Sequence, residues 1–247
     1  MKGKALKRWL RVGHYWLGVI VGVQLLIWLG TGIYFNITPH ESLKGKLYFK
    51  TAPQLEKQSF SVNELLPLAS ILARVKSVEQ VSLITLNQRA VYVLDEQVQL
   101  YPHDCQQQTL IDALSGEKMM IDAYLVEQLA KHTYTGHGKV IQTQKMTAPF
   151  DEWPKECNPL WQVSIDDDVR TRIYVNAING RVVGHKNDQT ELADLMFKLH
   201  FMDYLHQGSF NNPFSWLFGL MMLTLSLTGL YWVIENMVMK RYRFKIT

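Results

Sequence analysis

Two stretches of this chain carry no formal charge over a length that matches a lipid bilayer. Residues 15–35 are about 21 in number and as a helix rise about 31 Å, the thickness of a hydrocarbon core. Residues 207–234 are likewise uncharged, and the continuously apolar part from Pro213 offers about 22 residues to cross. Each stretch predicts a transmembrane helix. The apolar core of a secretory signal peptide is shorter and ends at a small-residue cleavage site, whereas the first stretch leaves through Phe35-Asn36-Ile37-Thr38-Pro39. Hydrophobic residues make up 47% of the 247, and their concentration in these windows leaves the middle with the composition of a soluble domain.

Orientation follows from the basic residues that flank each span, because Lys and Arg are retained on the cytoplasmic side. Lys2, Lys4, Lys7, Arg8 and Arg11 precede the first span, while Lys240, Arg241, Arg243 and Lys245 follow the second against Glu235 alone. The two tails therefore carry +8, and with +4 for the whole chain the remainder carries −4. Both termini are expected in the cytoplasm and the middle outside, in a bacterial inner membrane with the central domain periplasmic. The basic pI of about 8.9 then reflects membrane topology and no nucleic-acid partner. Cys105 and Cys157, the two cysteines, fall in the external segment, where an oxidising compartment permits a disulfide.

The middle contains a repeated order of elements. Ser61-Val62-Asn63-Glu64 has capping-box spacing and predicts a helix running to about residue 75. Strands are expected at 78–85, 89–94 and 98–101, closing at Asp112-Ala113-Leu114-Ser115-Gly116. A second helix at 123–131, strands at 140–144, 160–165 and 171–175, and Asn176-Ala177-Ile178-Asn179-Gly180 repeat the order. The two endings lie 64 residues apart, each placing Gly after an Asx or Ser turn residue. The expected fold class is membrane α+β: a two-helix hairpin with an external domain of two helix-plus-hairpin repeats. Its segments are a basic tail at 1–13, a span at 14–36, the external domain at 37–190 with repeats at about 61–121 and 122–186, an interfacial helix and turn at 191–212, a span at 213–235 and a basic tail at 236–247.

Several motifs carry a resemblance to a known family: Gly13-His14-Tyr15-Trp16-Leu17-Gly18, Gly30-Thr31-Gly32, the paired turns, Leu199-His200-Phe201-Met202-Asp203-Tyr204 and Leu227-Thr228-Gly229-Leu230. Together they resemble the PepSY-associated transmembrane proteins over nearly the whole chain. Within that family the two-span layout is similar to VciB-type dimeric inner-membrane ferric reductases, and four-span relatives reduce siderophore-bound iron through haem. The resemblance implies haem b, one or two per homodimer, iron as substrate and a functional link to a ferrous iron transporter.

On a helical wheel Gly18, Val21, Leu25, Trp28 and Gly32 fall within about 40° of His14, so the His14 face carries two glycines against which a flat macrocycle could lie. Gly18 and Gly22 equally form a small-xxx-small helix contact. Phe197, His200, Phe201 and Tyr204 share one stripe before the second span, where a neutral imidazole suits axial haem ligation. An aromatic stripe is also what an ordinary core requires. His14 and His200 are placed at opposite bilayer faces and cannot share one haem in a straight hairpin; pairing across a dimer gives two haems, or one with a single ligand pair. For the iron substrate, Asp203 and His206 are the nearest local pair. Asp166-Asp167-Asp168, His103-Asp104 and Glu152 with Glu156 are further acidic candidates that read more simply as solvated turns.

The sequence has no G-x-G-x-x-G, H-E-x-x-H or C-x-x-C-H motif, so electrons are expected from a separate cytoplasmic reductant, flavin or quinol. The reading is a haem-containing ferric reductase that delivers Fe(II) for uptake. Its rivals are a membrane-anchored binding or regulatory module, such as a protease inhibitor, and an iron-binding accessory that does not reduce.

Overall fold

The structure, a computed structural model, describes residues 2–50, 61–75, 77–205 and 207–239. They divide into two compact units, Met1–Ile37 with Leu195–Thr247, and Thr38–Asp194.

The first unit is helical. α1 (Lys2–Ile37) and α6 (Pro213–Val238) pack against each other, and α5 (Asp188–Phe201) contributes its residues from Leu195 onward. α1 starts within the basic segment rather than at residue 14, because the Lys, Arg, Leu and Ala residues there are good helix formers. Only 17% of the most apolar window of α1 is buried, and 6% of that of α6. Core helices of a soluble protein bury far more, so these two faces need lipid, and the helices satisfy the backbone internally as a bilayer demands. α1 and α6 are membrane spans.

Val21, Met202 and Phe218 are buried where the hairpin packs, with Trp28, Met221, Met222 and Leu225 around them. At one end Lys7 pairs with Glu235, and the Arg11 guanidinium lies 5.2 Å from the Trp232 ring centroid. At the other, Asn212 caps α6 by accepting from Phe214 and Ser215 N–H, while its amide donates to the Phe201 and Ser209 carbonyls. Pro213 takes the first helical position, where no N–H is needed.

The second unit holds two four-stranded antiparallel meanders. In chain order it comprises α2 (His40–Leu43), a 3₁₀ turn (Val62–Glu64), α3 (Leu68–Leu72), β1 (Gln80–Leu86), β2 (Arg89–Gln97), β3 (Gln107–Asp112), β4 (Lys118–Met119), α4 (Ala123–Thr133), β5 (Lys139–Met146), β6 (Leu160–Asp166), β7 (Arg172–Asn176) and β8 (Val182–Lys186). The sheets are β1-β2-β3-β4 and β5-β6-β7-β8. The middle of β2, residues 90–94, is continuously apolar because both its faces are covered. Val91 and Val93 join a core with Leu125, Val126 and Leu129 of α4 and Val163, Ile173 and Val175 of the second sheet, while Ala90, Tyr92 and Leu94 meet Ile71 of α3.

The paired turns are alike in detail. Asp112 accepts from Leu114 and Ser115 N–H, and Asn176 accepts from Ile178 and Asn179 N–H. Gly116 and Gly180 both have φ +73°, a conformation costly for any residue with a Cβ. Cys105 and Cys157 are paired, with Cα atoms 5.0 Å apart, and join the loops leading into β3 and β6.

In the second unit, two of the expected elements take another form. The helix expected from Ser61 to about residue 75 is a 3₁₀ turn and the short α3, because Pro67 pushes its predecessor out of the helical region and becomes the N-cap. No strand forms at 98–101: the ladder is disturbed between Asp95 and Gln97, and Tyr101 N–H turns to Asp104. The third strand is β3 instead.

His185 on β8 is 4% exposed and lies edge-on to Phe49. Its Nε2 is 2.9 Å from the Thr133 hydroxyl, which donates to the Ala130 carbonyl, and Nδ1 has no partner among the described residues. Burial holds this imidazole neutral, lowering its pKa to about 4 against a smaller opposing effect of Asp167. Between the ordinary value and about 4 the unfolded chain binds a proton that the folded one refuses, so stability falls as pH drops through that window. The expected loss is about 3 kcal/mol. The unfolding midpoint of this unit, measured on the detergent-solubilised chain at pH 7 and pH 4, should fall less in His185→Gln than in the native protein.

Candidate functional site

The two spans each present one hydroxyl to one histidine. His14 projects from α1 toward α6, where its Nδ1 lies 2.7 Å from Thr228 Oγ1. Thr228 has one proton to give, and carbonyls of its own helix take it, Thr224 at 2.8 Å and Leu225 at 3.0 Å. With its proton on those carbonyls, the hydroxyl accepts from the ring. The network therefore assigns His14 as the Nδ1–H tautomer, with the lone pair on Nε2. Gly229 makes room: a Cβ there would stand 3.4 Å from His14 Cε1.

At the other end α1 supplies the hydroxyl and α5 the histidine. His200 on α5 places Nδ1 2.8 Å from Thr31 Oγ1 of α1, and Thr31 donates to the Ile27 and Trp28 carbonyls at 2.8 and 3.2 Å. His200 is likewise assigned Nδ1–H with Nε2 bearing the lone pair. Aromatic rings enclose it. Trp28, Phe35 and Phe201 have ring centroids 6.0, 5.5 and 5.2 Å away, and Phe197 stacks on Phe35 at 4.4 Å. Trp28 Nε1 donates to the His200 carbonyl at 2.5 Å and Gln24 donates to that of Leu199 at 3.3 Å, so two polar groups within the span anchor the end of α5.

Neither Nε2 has a hydrogen-bond partner among the described residues. An imidazole with Nε2 unshared and Nδ1 hydrogen-bonded is the form that a haem iron or another transition metal takes as a ligand. His200 bonds to Thr31, which follows His14 on α1 by about 26 Å of rise, so one metal atom cannot take both imidazoles of one chain.

The remaining sequence candidates have other surroundings. Gly18 looks toward α6, with Leu225 4.0 Å from where a Cβ would stand, while Gly22 and Gly32 have open space there. Tyr204 lies 3.4 Å from Gln24 Oε1 and edge-on to Phe214. Asp203 is 9% exposed, and its two oxygens receive Gln207 and Gly208 N–H, a structural use in the turn before α6. His206 lies outside the described residues.

The acidic candidates of the second unit are tied into turns. Burial acts to raise the Asp167 carboxyl, but hydrogen bonds from Thr171, Tyr134 and Val169 outweigh it and hold the group below the usual carboxylate range. Asp168 accepts from Tyr48. Glu152 binds Arg172 and Tyr174, Glu156 accepts from Asn158 and Arg181, and His103 stacks on Tyr101 3.9 Å from Asp104. No group of three or more His, Cys, Asp or Glu side chains arranged to hold a metal ion occurs among the described residues. Sequence reasoning quoted Thr31 and Thr228 only as parts of motifs. The available signal was a Thr-Gly pair within each span, one for each histidine.

No curated protein and no solved structure matches this chain. A family model described as the PepSY-associated TM region matches residues 14–246, spanning both helices, both histidines and both threonines. The chain belongs to the PepSY-associated transmembrane family.

Proposed function

We propose that this protein is a haem-dependent ferric reductase of a bacterial inner membrane, with both termini cytoplasmic and the two-sheet unit periplasmic. The observation that carries the reading is the pair of His–Thr contacts, one toward each end of the helical hairpin, each leaving Nε2 unshared. That is the donor a haem iron takes, and the partly exposed imidazoles beside glycine and aromatic surfaces suit a flat apolar ring better than a hydrated ion. Bound haem would supply a one-electron carrier, which neither imidazole nor carboxylate provides by itself.

The chain's own residues then have separate tasks. His14 and His200 would hold iron through Nε2, Thr228 and Thr31 orient them, and Trp28, Phe35, Phe197 and Phe201 keep water from the second imidazole. Each end offers one histidine per chain, so a second copy completes two axial pairs. The small-xxx-small pair Gly18 and Gly22, with open space at Gly22, suits close approach of another α1. Electrons come from a separate cytoplasmic reductant, flavin or quinol, and each one delivered outside converts Fe(III) to Fe(II) for a ferrous transporter.

The test is direct. Purified protein produced with ample haem should show a Soret band, and with a reductant it should release Fe(II) to a chromogenic chelator. Haem-free protein that retains Fe(III) unreduced would favour an iron-binding accessory, and protein with neither property a binding module.

A further inference from the structure

We propose that Thr31 and Thr228 are positioning residues, which select the ligating tautomer of His200 and His14. The inference rests on the haem reading for its purpose, but not for its geometry. A free neutral imidazole favours the Nε2–H form, which would put a proton on the nitrogen that faces outward and turn the lone pair toward the neighbouring helix. Both histidines meet the opposite condition. Thr228 Oγ1 and Thr31 Oγ1 lie 2.7 and 2.8 Å from Nδ1, and each hydroxyl proton is already given to a carbonyl one turn back on its own helix.

An acceptor fixed in this way rewards Nδ1–H and leaves Nε2 as the only free donor of electrons. One net hydrogen bond should move the tautomer ratio roughly threefold to tenfold. The same contact raises the basicity of Nε2 toward a metal, as the outer partners of ligating histidines do. The same residue types recur at both ends, α1 supplying the histidine at one and the hydroxyl at the other, which argues against a chance contact at either.

The full chain, ¹⁵N-labelled at histidine and prepared without haem, provides the first test, with His14 and His200 resonances assigned from the single Ala variants. Thr31→Val keeps the shape of the side chain and removes the hydroxyl; it should shift His200 toward Nε2–H and leave His14 unchanged, and Thr228→Val should do the reverse. The unaffected histidine in each variant reports that the protein has folded. Thr31→Ser and Thr228→Ser should restore the native tautomer. In haem-loaded protein the Val variants should have a more positive midpoint potential than the native or Ser forms, because a less basic ligand stabilises Fe(III) less.

Unchanged tautomers in the Val variants would overturn the proposal whether or not haem binds, and so would Ser variants that behave like Val. Shifted tautomers in a protein that never takes up haem would uphold the positioning role and remove the haem reading.

Discussion

His14→Ala and His200→Ala are each expected to remove about half of the Soret absorbance of the dimer and nearly all ferric reductase activity. The reason is distance. His200 is fastened to Thr31, about 26 Å of helix rise from His14, so under the proposed function the two imidazoles of one chain would serve different iron atoms. Loss of one carrier leaves the other intact but breaks the path across the membrane. The residual spectra should differ, since His200 is lined by Trp28, Phe35 and Phe201 while His14 packs beside Gly229. Haem content and Fe(II) release measured on each variant check this. If one substitution removes all haem and the other none, a single haem with one ligand pair replaces the two-haem arrangement. Full spectra in both would remove the ligand assignment.

The second large effect concerns the disulfide. Replacing Cys105 and Cys157 by Ser should lower the stability of the two-sheet unit by about 4 kcal/mol, the chain-entropy value for a bond closing 52 residues. The folded loops are held together by other contacts as well. Cys157 N–H donates to the His103 carbonyl, Gln106 N–H to Asn158 Oδ1, and Asn158 Nδ2 to the Asp104 carbonyl. The native geometry therefore persists without the bond, and the effect falls mainly on the unfolded chain. The denaturant midpoint of the detergent-solubilised protein, with and without the double substitution, measures it; coincident midpoints would show that the bond adds nothing beyond those contacts.

The parts of the fold that were legible in the sequence are those with one dominant physical cause. An uncharged run of bilayer length has few alternatives to a spanning helix. The paired Asx-to-Gly turns were legible because positive φ at Gly116 and Gly180 restricts the residue type. α3 was misread where two local signals compete: the spacing of Ser61 and Glu64 suggests a helix start, but Pro67 delays the α-helix to Leu68. β3 was hidden because its first residues, Gln107, Gln108 and Thr109, are polar, whereas the more apolar Val98 and Leu100 sit beyond the irregularity in β2.

The site shows the same division. His14 and His200 stand out by residue type and position. Their partners do not, because which hydroxyl meets which imidazole depends on the rotation of α1 and α6 about their axes, and periodicity within one helix cannot supply it. Trp28 illustrates the point. The helical wheel places it on the His14 face, yet it bonds to the His200 carbonyl, since a stripe that starts at one end of a span continues to the other.

The central claim is that the preset Nε2 atoms of His14 and His200 hold haem. Its most direct test is the reduced-minus-oxidised absorbance spectrum of the purified full chain, produced with ample haem and compared with the His14→Ala, His200→Ala double variant. The native protein should show a Soret band and the sharp reduced bands of six-coordinate haem, and the double variant neither. A native protein without haem absorbance, or a double variant with an unchanged spectrum, would contradict it.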